Sequence, residues 1–132
     1  MGKTFSDLKM FFSKKTFGHL ATLMKDGSPQ VTPVWVDFDE DNELILFNTS
    51  RNRSKERNLM RDPRVAFSAQ DPENPYSSIG FRGRVVEITE DGAIEHINKL
   101  AQKYLGEDKY PWLLPGDVRV IVKIKPGAIW GI

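Results

Sequence analysis

The residues best suited to chemistry lie in one stretch, "NTSRNRSKERNLMRDPRV", residues 48 to 65. Arg51, Arg53, Lys55, Arg57, Arg61 and Arg64 stand there against only Glu56 and Asp62, in a chain whose net charge is +1. Asn48, Thr49 and Ser50 read as the end of a strand, and the cations follow at the start of a helix. Backbone N–H groups at a helix N-terminus point outward and carry the positive end of the helix dipole, which favours a phosphate or carboxylate. Hydroxyls add donors, arginine grips an anion through two parallel bonds, and lysine adds a point charge. The same segment also reads as a solvated helix face. Composition leaves both readings open.

Other chemistries find less support. The two histidines, His19 and His96, fall at the opening of a strand and on the expected exposed side of a long helix. Nothing brings them together as metal ligands, so both are read as structural, and no serine-histidine-acid triad can be assembled. With no cysteine, disulfides, thiolate metal sites and thiol nucleophiles are excluded. The carboxylates sit in turns and on helix faces, where solvated charge explains nearly all of them. A single-strand-binding barrel needs aromatic platforms beside a basic groove. Here the aromatics are not interleaved with the cations and the remainder of the chain is acidic, so nucleic acid is not an expected partner.

The elements that must position these residues follow from pattern. "HLATLM" reads as a strand, "KDGS" as a hairpin turn through Asp26-Gly27, and the return strand alternates. In that strand Val31, Pro33, Trp35 and Asp37 face one way, and Thr32, Val34, Val36 and Phe38 the other. A turn at "DEDN" leads into Glu43 to Phe47, completing a three-stranded meander. The basic helix, capped by Ser50 or Ser54, ends at "RDP", because a residue before proline avoids helical geometry. "RVAFSAQ" and "YSSIGFRGRVVEI" are strands, the second bent or bulged at Gly80 and Gly83. "TEDGAIEHINKLAQKYLG" is a helix with Asp91 as its cap, an apolar stripe of Ile94, Ile97, Leu100, Ala101 and Tyr104, and Gly106 as its stop. "VRVIVKIKP" is the last strand. At the other end Thr4 or Ser6 caps a short helix with Phe5, Leu8, Phe11 and Phe12 on its apolar side.

A chain of 132 residues, 39% hydrophobic and 28% charged, suits one domain spanning 1–132. No apolar run approaches the ~18 residues of a membrane span, and "MGKTFSDLKMFFSKK" lacks the features of a signal peptide. The expectation is a cytoplasmic protein with no membrane partner. Six strands with closely spaced turns and two or three helices imply an α+β, mainly β antiparallel barrel.

The order of motifs resembles the pyridoxamine-phosphate-oxidase-like flavin-binding split barrels, in particular their short deazaflavin-dependent oxidoreductase branch. The residues that carry the resemblance are "GHLATLMKDGSPQVTPVWV", "NTSRNRSKERNLMRDPRVAFSAQDPENPY", "RGRVVEI" and "PGAIWGI", nearly the whole chain in order. The resemblance implies a six-stranded split β-barrel, homodimeric, with a deazaflavin (coenzyme F420) or FMN at the subunit interface. It places Thr32, Pro33, Val34 and Trp35 along the cofactor ring, with Asn48, Thr49 and Ser50 near the ring and ribityl chain. Arg53 and Lys55, supported by Arg51, would hold the phosphate, and Trp130 would approach the partner's cofactor. Trp35 and Trp130 serve equally as core or dimer-interface residues. The implied activity is hydride transfer between the cofactor and a small electron-poor substrate; the alternative is a non-enzymatic flavin, deazaflavin or haem carrier. Tyr76 and Tyr110 are available as proton donors, but no catalytic side chain is assigned, and the "DPENPYSS" and "KYPWLLPG" loops either line the substrate pocket or serve only to close the barrel. True pyridoxamine phosphate oxidases end in an arginine-containing motif, which "IWGI" does not match, so that substrate is not expected.

Overall fold

The structure is a computed structural model that describes residues 2–131. Its helices are α1 (Phe5–Phe12), α2 (Ser54–Arg61) and α3 (Ala93–Leu105). Its strands are β1 (Gly18–Leu23), β2 (Pro29–Val34), β3 (Asp37–Asp39), β4 (Leu44–Ser50), β5 (Arg64–Asp71), β6 (Asn74–Thr89) and β7 (Arg119–Gly131). All pairings are antiparallel, in the order β2-β1-β5-β6-β7-β4-β3.

The Asp26-Gly27 turn forms as its residues dictate. Gly27 takes φ +89°, the Ser28 N–H donates to Asp26 Oδ1 at 2.9 Å, and β1 pairs with β2 from Gly18↔Val34 to Leu23↔Pro29. The expected three-stranded meander does not form. β2 breaks at Trp35-Val36, and a short new strand, β3, pairs with β4 from Asp37↔Leu46 to Asp39↔Leu44. This raises the strand number from the expected six to seven. The break also spoils the expected alternation, since Val36 and Asp37 are consecutive and both buried.

Sheet order and chain length together close the barrel. β2 and β3 occupy opposite edges of the sheet, yet only Trp35 and Val36 separate them in sequence. Three peptide steps reach about 11 Å at most. The sheet must therefore curl until its edges come close, leaving a barrel split between β2 and β3. Bulges in β6, where the register with β7 shifts between Phe81 and Gly83 and between Val85 and Glu87, provide the bend expected of the glycines there.

The interior holds Leu20, Val36, Ile45, Phe47, Phe67, Phe81, Val120, Val122 and Ile124. Phe67 stacks on Phe81 with ring centroids 5.1 Å apart, and Phe12 from α1 meets Phe67 edge-on at 5.8 Å. α3 lies outside the barrel against β7 and β4 and buries Ile97, Leu100, Ala101 and Tyr104.

Several local expectations need correction. α2 has Arg53 at its N-cap position without a side-chain cap; Glu56 Oε1 instead accepts the Asn52 N–H at 2.9 Å. Gly92, not Asp91, is the N-cap of α3, in the left-handed conformation. Ile94, expected in the stripe, is exposed, and His96, expected on the outer side, is buried at 8% exposure. The helix turns its face so that His96 meets a buried carboxylate, a pairing helical periodicity does not encode.

Candidate functional site

β2, β4, α2 and α3 meet at a cleft with about 580 Å³ of free space, open solvent included. Pro33, Val34 and Trp35 arrive from the end of β2, and Asn48 and Thr49 from the end of β4. Arg53 and Lys55 come from the start of α2, Ile97 and Leu100 from α3, and Arg119 from the start of β7. Phe17 and Tyr110 complete the lining. Trp35 is the centre of an aromatic group, stacked on Tyr104 at 5.3 Å, edge-on to Tyr110 at 5.8 Å and tilted against Trp112 at 6.2 Å.

The charge balance of the cleft is one-sided. Among the described residues no carboxylate pairs with Arg53 or Lys55. Burial pushes the Lys55 ammonium below its ordinary range, and the charges of Arg53 and Arg119 push it the same way. A half-buried lysine facing two arginines is held in an unfavourable field that a bound anion would relieve. A second, polar groove lined by Gln30, Thr32 and Ser54 shares Arg53 and Lys55 with the cleft.

Of the residues singled out from sequence, Pro33, Val34, Trp35, Asn48, Thr49, Arg53 and Lys55 come together in the cleft, and Thr32 lines the adjoining groove. Ser50 lies deeper, its hydroxyl on the Asp117 carboxylate and accepting from Arg119 Nη1 at 3.0 Å. Arg51 turns away to Glu56 at 3.3 Å and Glu90 at 3.2 Å. Trp130 is on β7, 45% exposed and outside the cleft, with the Arg82 guanidinium 5.6 Å from its ring. Tyr110 borders the cleft, whereas Tyr76 and the rest of "DPENPYSS" do not.

Arg119 is the residue that sequence reasoning missed. Its signal was a charge at the head of the otherwise apolar strand "VRVIV", 7% exposed in the fold. Its guanidinium lies 5.1 Å from the Tyr110 ring.

This geometry has relatives. The family model described as pyridoxamine 5'-phosphate oxidase matches residues 6–131. The chain belongs to the pyridoxamine 5'-phosphate oxidase family. Among solved structures similar to this family member, an F420 reductase is 33% identical with TM-score 0.81, over 92% of this chain and 94% of that one. A conserved hypothetical protein from Mycobacterium tuberculosis is 25% identical with TM-score 0.74, over 98% and 84% of the two chains. An FAD-binding protein from Mesorhizobium loti, 18% identical with TM-score 0.68 over 99% and 95%, shares the fold. The split-barrel fold expected from the sequence is thus the fold of the family.

Proposed function

We propose that this protein is a homodimeric oxidoreductase that holds a flavin-type cofactor in the Trp35–Lys55 cleft. Hydride passes between that cofactor and a small electron-poor organic substrate. The observation that carries the reading is the cation set: among the described residues Arg53 and Lys55 pair with no acid, and they stand beside an apolar wall of Pro33, Val34 and Trp35. That donor set fits the phosphate and ring of a flavin-type cofactor. The likeness to an F420 reductase at 33% identity supports the deazaflavin F420 as the first cofactor to test and FMN as the second.

The bound cofactor supplies hydride chemistry of its own. The chain's part is to bind and orient: Arg53 and Lys55 neutralise the phosphate, Asn48 and Thr49 offer polar contacts, and Trp35 and Tyr110 exclude water. Tyr104 takes no part in proton transfer. Burial pushes its hydroxyl up to about 12, and it already donates to the Thr16 carbonyl at 2.6 Å. In the proposed dimer the exposed Trp130 reaches the partner's cofactor, which light scattering of wild type and Trp130→Ala, with and without cofactor, tests.

Titration of the purified protein with F420 and with FMN, beside an Arg53→Ala, Lys55→Ala double variant, tests the binding site. Each lost charge-assisted bond costs roughly 1.5–3 kcal/mol, or about tenfold to a hundredfold in affinity. Unchanged affinity in the double variant would place the phosphate elsewhere. A protein that binds cofactor but never speeds its reoxidation by a panel of electron-poor acceptors is a carrier, not an enzyme.

A further inference from the structure

Behind the cleft runs a chain of polar side chains, of which Asn48 and Arg119 line the cleft while Asp37 and His96 do not. Asp37 on β3, His96 on α3 and Arg119 on β7 are exposed by 8%, 8% and 7%, and half-buried Asn48 on β4 joins them. His96 Nε2 lies 3.1 Å from Asp37 Oδ2, and Asn48 Nδ2 lies 3.2 Å from His96 Nδ1 and 2.9 Å from the Ala93 carbonyl. Arg119 Nε lies 2.9 Å from Asn48 Oδ1.

Donor and acceptor roles resolve every proton in this chain. Arg119 Nε–H only donates and the Ala93 carbonyl only accepts. The Asn48 atom facing Arg119 is therefore oxygen, and the one facing Ala93 is the amide nitrogen. That nitrogen also faces His96 Nδ1, so Nδ1 is the bare acceptor and Nε2 carries the ring proton to Asp37. The Asn48 amide cannot turn over without setting N–H against N–H at Arg119 and oxygen against oxygen at Ala93. Arg119 is in turn held by Asn48 through Nε and, through Nη1, by Ser50 and the Asp117 carboxylate 3.5 Å away, while its Nη2 makes no hydrogen bond among the described residues. No side-chain polar atom among the described residues is both buried and unpartnered, so Nη2 keeps access to solvent, and Arg119 lines the cleft.

We propose that Arg119 is the third anion-binding residue of the cleft and that His96 is its positioning residue, aiming the guanidinium by fixing the Asn48 amide. This rests on the reading of the cleft as an anion site. His96 is more than a counterpart for buried Asp37: its Nδ1 face, not its Nε2 face, governs ligand affinity. Lys99, 3.3 Å from the same Asp37 oxygen, leaves that carboxylate partly satisfied without His96.

Three variants separate the two faces of the ring. His96→Asn keeps an acceptor near the Nδ1 position, His96→Gln keeps a donor near the Nε2 position, and His96→Leu keeps neither. FMN and F420 affinities of the folded proteins are measured together with the Arg119 Nε–H resonance in proton–nitrogen spectra. The expected result is affinity close to wild type in His96→Asn. Loss of about tenfold is expected in His96→Gln and His96→Leu, with the Arg119 resonance moved only in those two. Wild-type affinity in His96→Gln, or failure of His96→Asn to restore it, overturns the assignment. Should His96→Leu not fold, the Asn and Gln pair decides alone. If wild type binds neither cofactor, the cofactor reading fails by itself, and the Arg119 resonance still settles whether His96 positions the guanidinium.

Discussion

His96 Nε2 and Asp37 Oδ2 lie 3.1 Å apart across 59 residues of sequence, both nearly out of solvent. Burial is the largest influence on the Asp37 carboxyl and raises it. The His96 hydrogen bond, the Phe38 N–H and the Lys99 charge outweigh burial and hold it at about 2, below the ordinary 3.8. A carboxylate so depressed contributes stability that is fully present above 3.8 and lost as pH falls from there to about 2. Asp37→Asn is expected to cost on the order of 2 kcal/mol at neutral pH. The gap from wild type should close as urea unfolding is repeated toward pH 2. A gap of constant size across that range would deny Asp37 its ionised role.

Lys55 makes the opposite case. Its ammonium is pushed below the ordinary 10.5 by burial, then by Arg53 and Arg119. The folded state thus binds the proton less well than the unfolded chain, so charge on Lys55 costs stability at neutral pH, and the cost fades as pH rises toward 10.5. Lys55→Met is expected to raise the Tm of the cofactor-free protein while abolishing most of the Tm gain that ligand brings to wild type. Thermal unfolding with and without FMN or F420 reads both effects. A variant with lower Tm and intact ligand gain would refute the strained-lysine account.

The Tyr104 hydroxyl joins three segments: it accepts the Val36 N–H at 3.0 Å and donates to the Thr16 carbonyl at 2.6 Å. Val36 is one of the two residues that carry the chain across the split in the barrel. Tyr104→Phe leaves both backbone groups without this partner and is expected to cost about 1–3 kcal/mol of stability. Cofactor affinity should change little, because Tyr104 supports Trp35 from behind by stacking, which phenylalanine preserves. Denaturant midpoints and a binding titration check the two halves.

Gly80 is the seat of Trp130. A Cβ placed there would stand 2.6 Å from Trp130 Nε1, inside any tolerable contact, and 3.0 Å from the Phe67 carbonyl oxygen, a tight one. Gly80→Ala is expected to displace the indole, with loss of roughly 1–3 kcal/mol and a change in tryptophan fluorescence. That change should be absent when the substitution is made in a Trp130→Phe background.

What could be read before the fold was known was local. The Asp26-Gly27 turn, the end of α2 at Asp62-Pro63 and the passage of Asn48–Ser50 into a basic helix depend on neighbours in sequence. The gathering of Pro33, Trp35, Asn48, Arg53 and Lys55 was legible as well, because an ordered run of motifs along nearly the whole chain resembles a known family. The seventh strand was not. A two-residue break at Trp35-Val36 carries no turn signature, and β3 exists only because β4 offers it a free edge.

Where strands turn, where helices stop and where positive charge accumulates follow from short stretches of sequence, since backbone sterics and side-chain type decide those within a few residues. Which of the basic residues face the cleft and which are neutralised is settled in three dimensions. Arg51 finds Glu90 from 39 residues away, while Arg53 and Lys55 find no acid among the described residues. The fold also brought in Arg119, which meets Asn48 from 71 residues away, and buried His96 against Asp37. These are pairings in space, and their energies arise from desolvation and from partners that become neighbours only once the sheet has rolled shut.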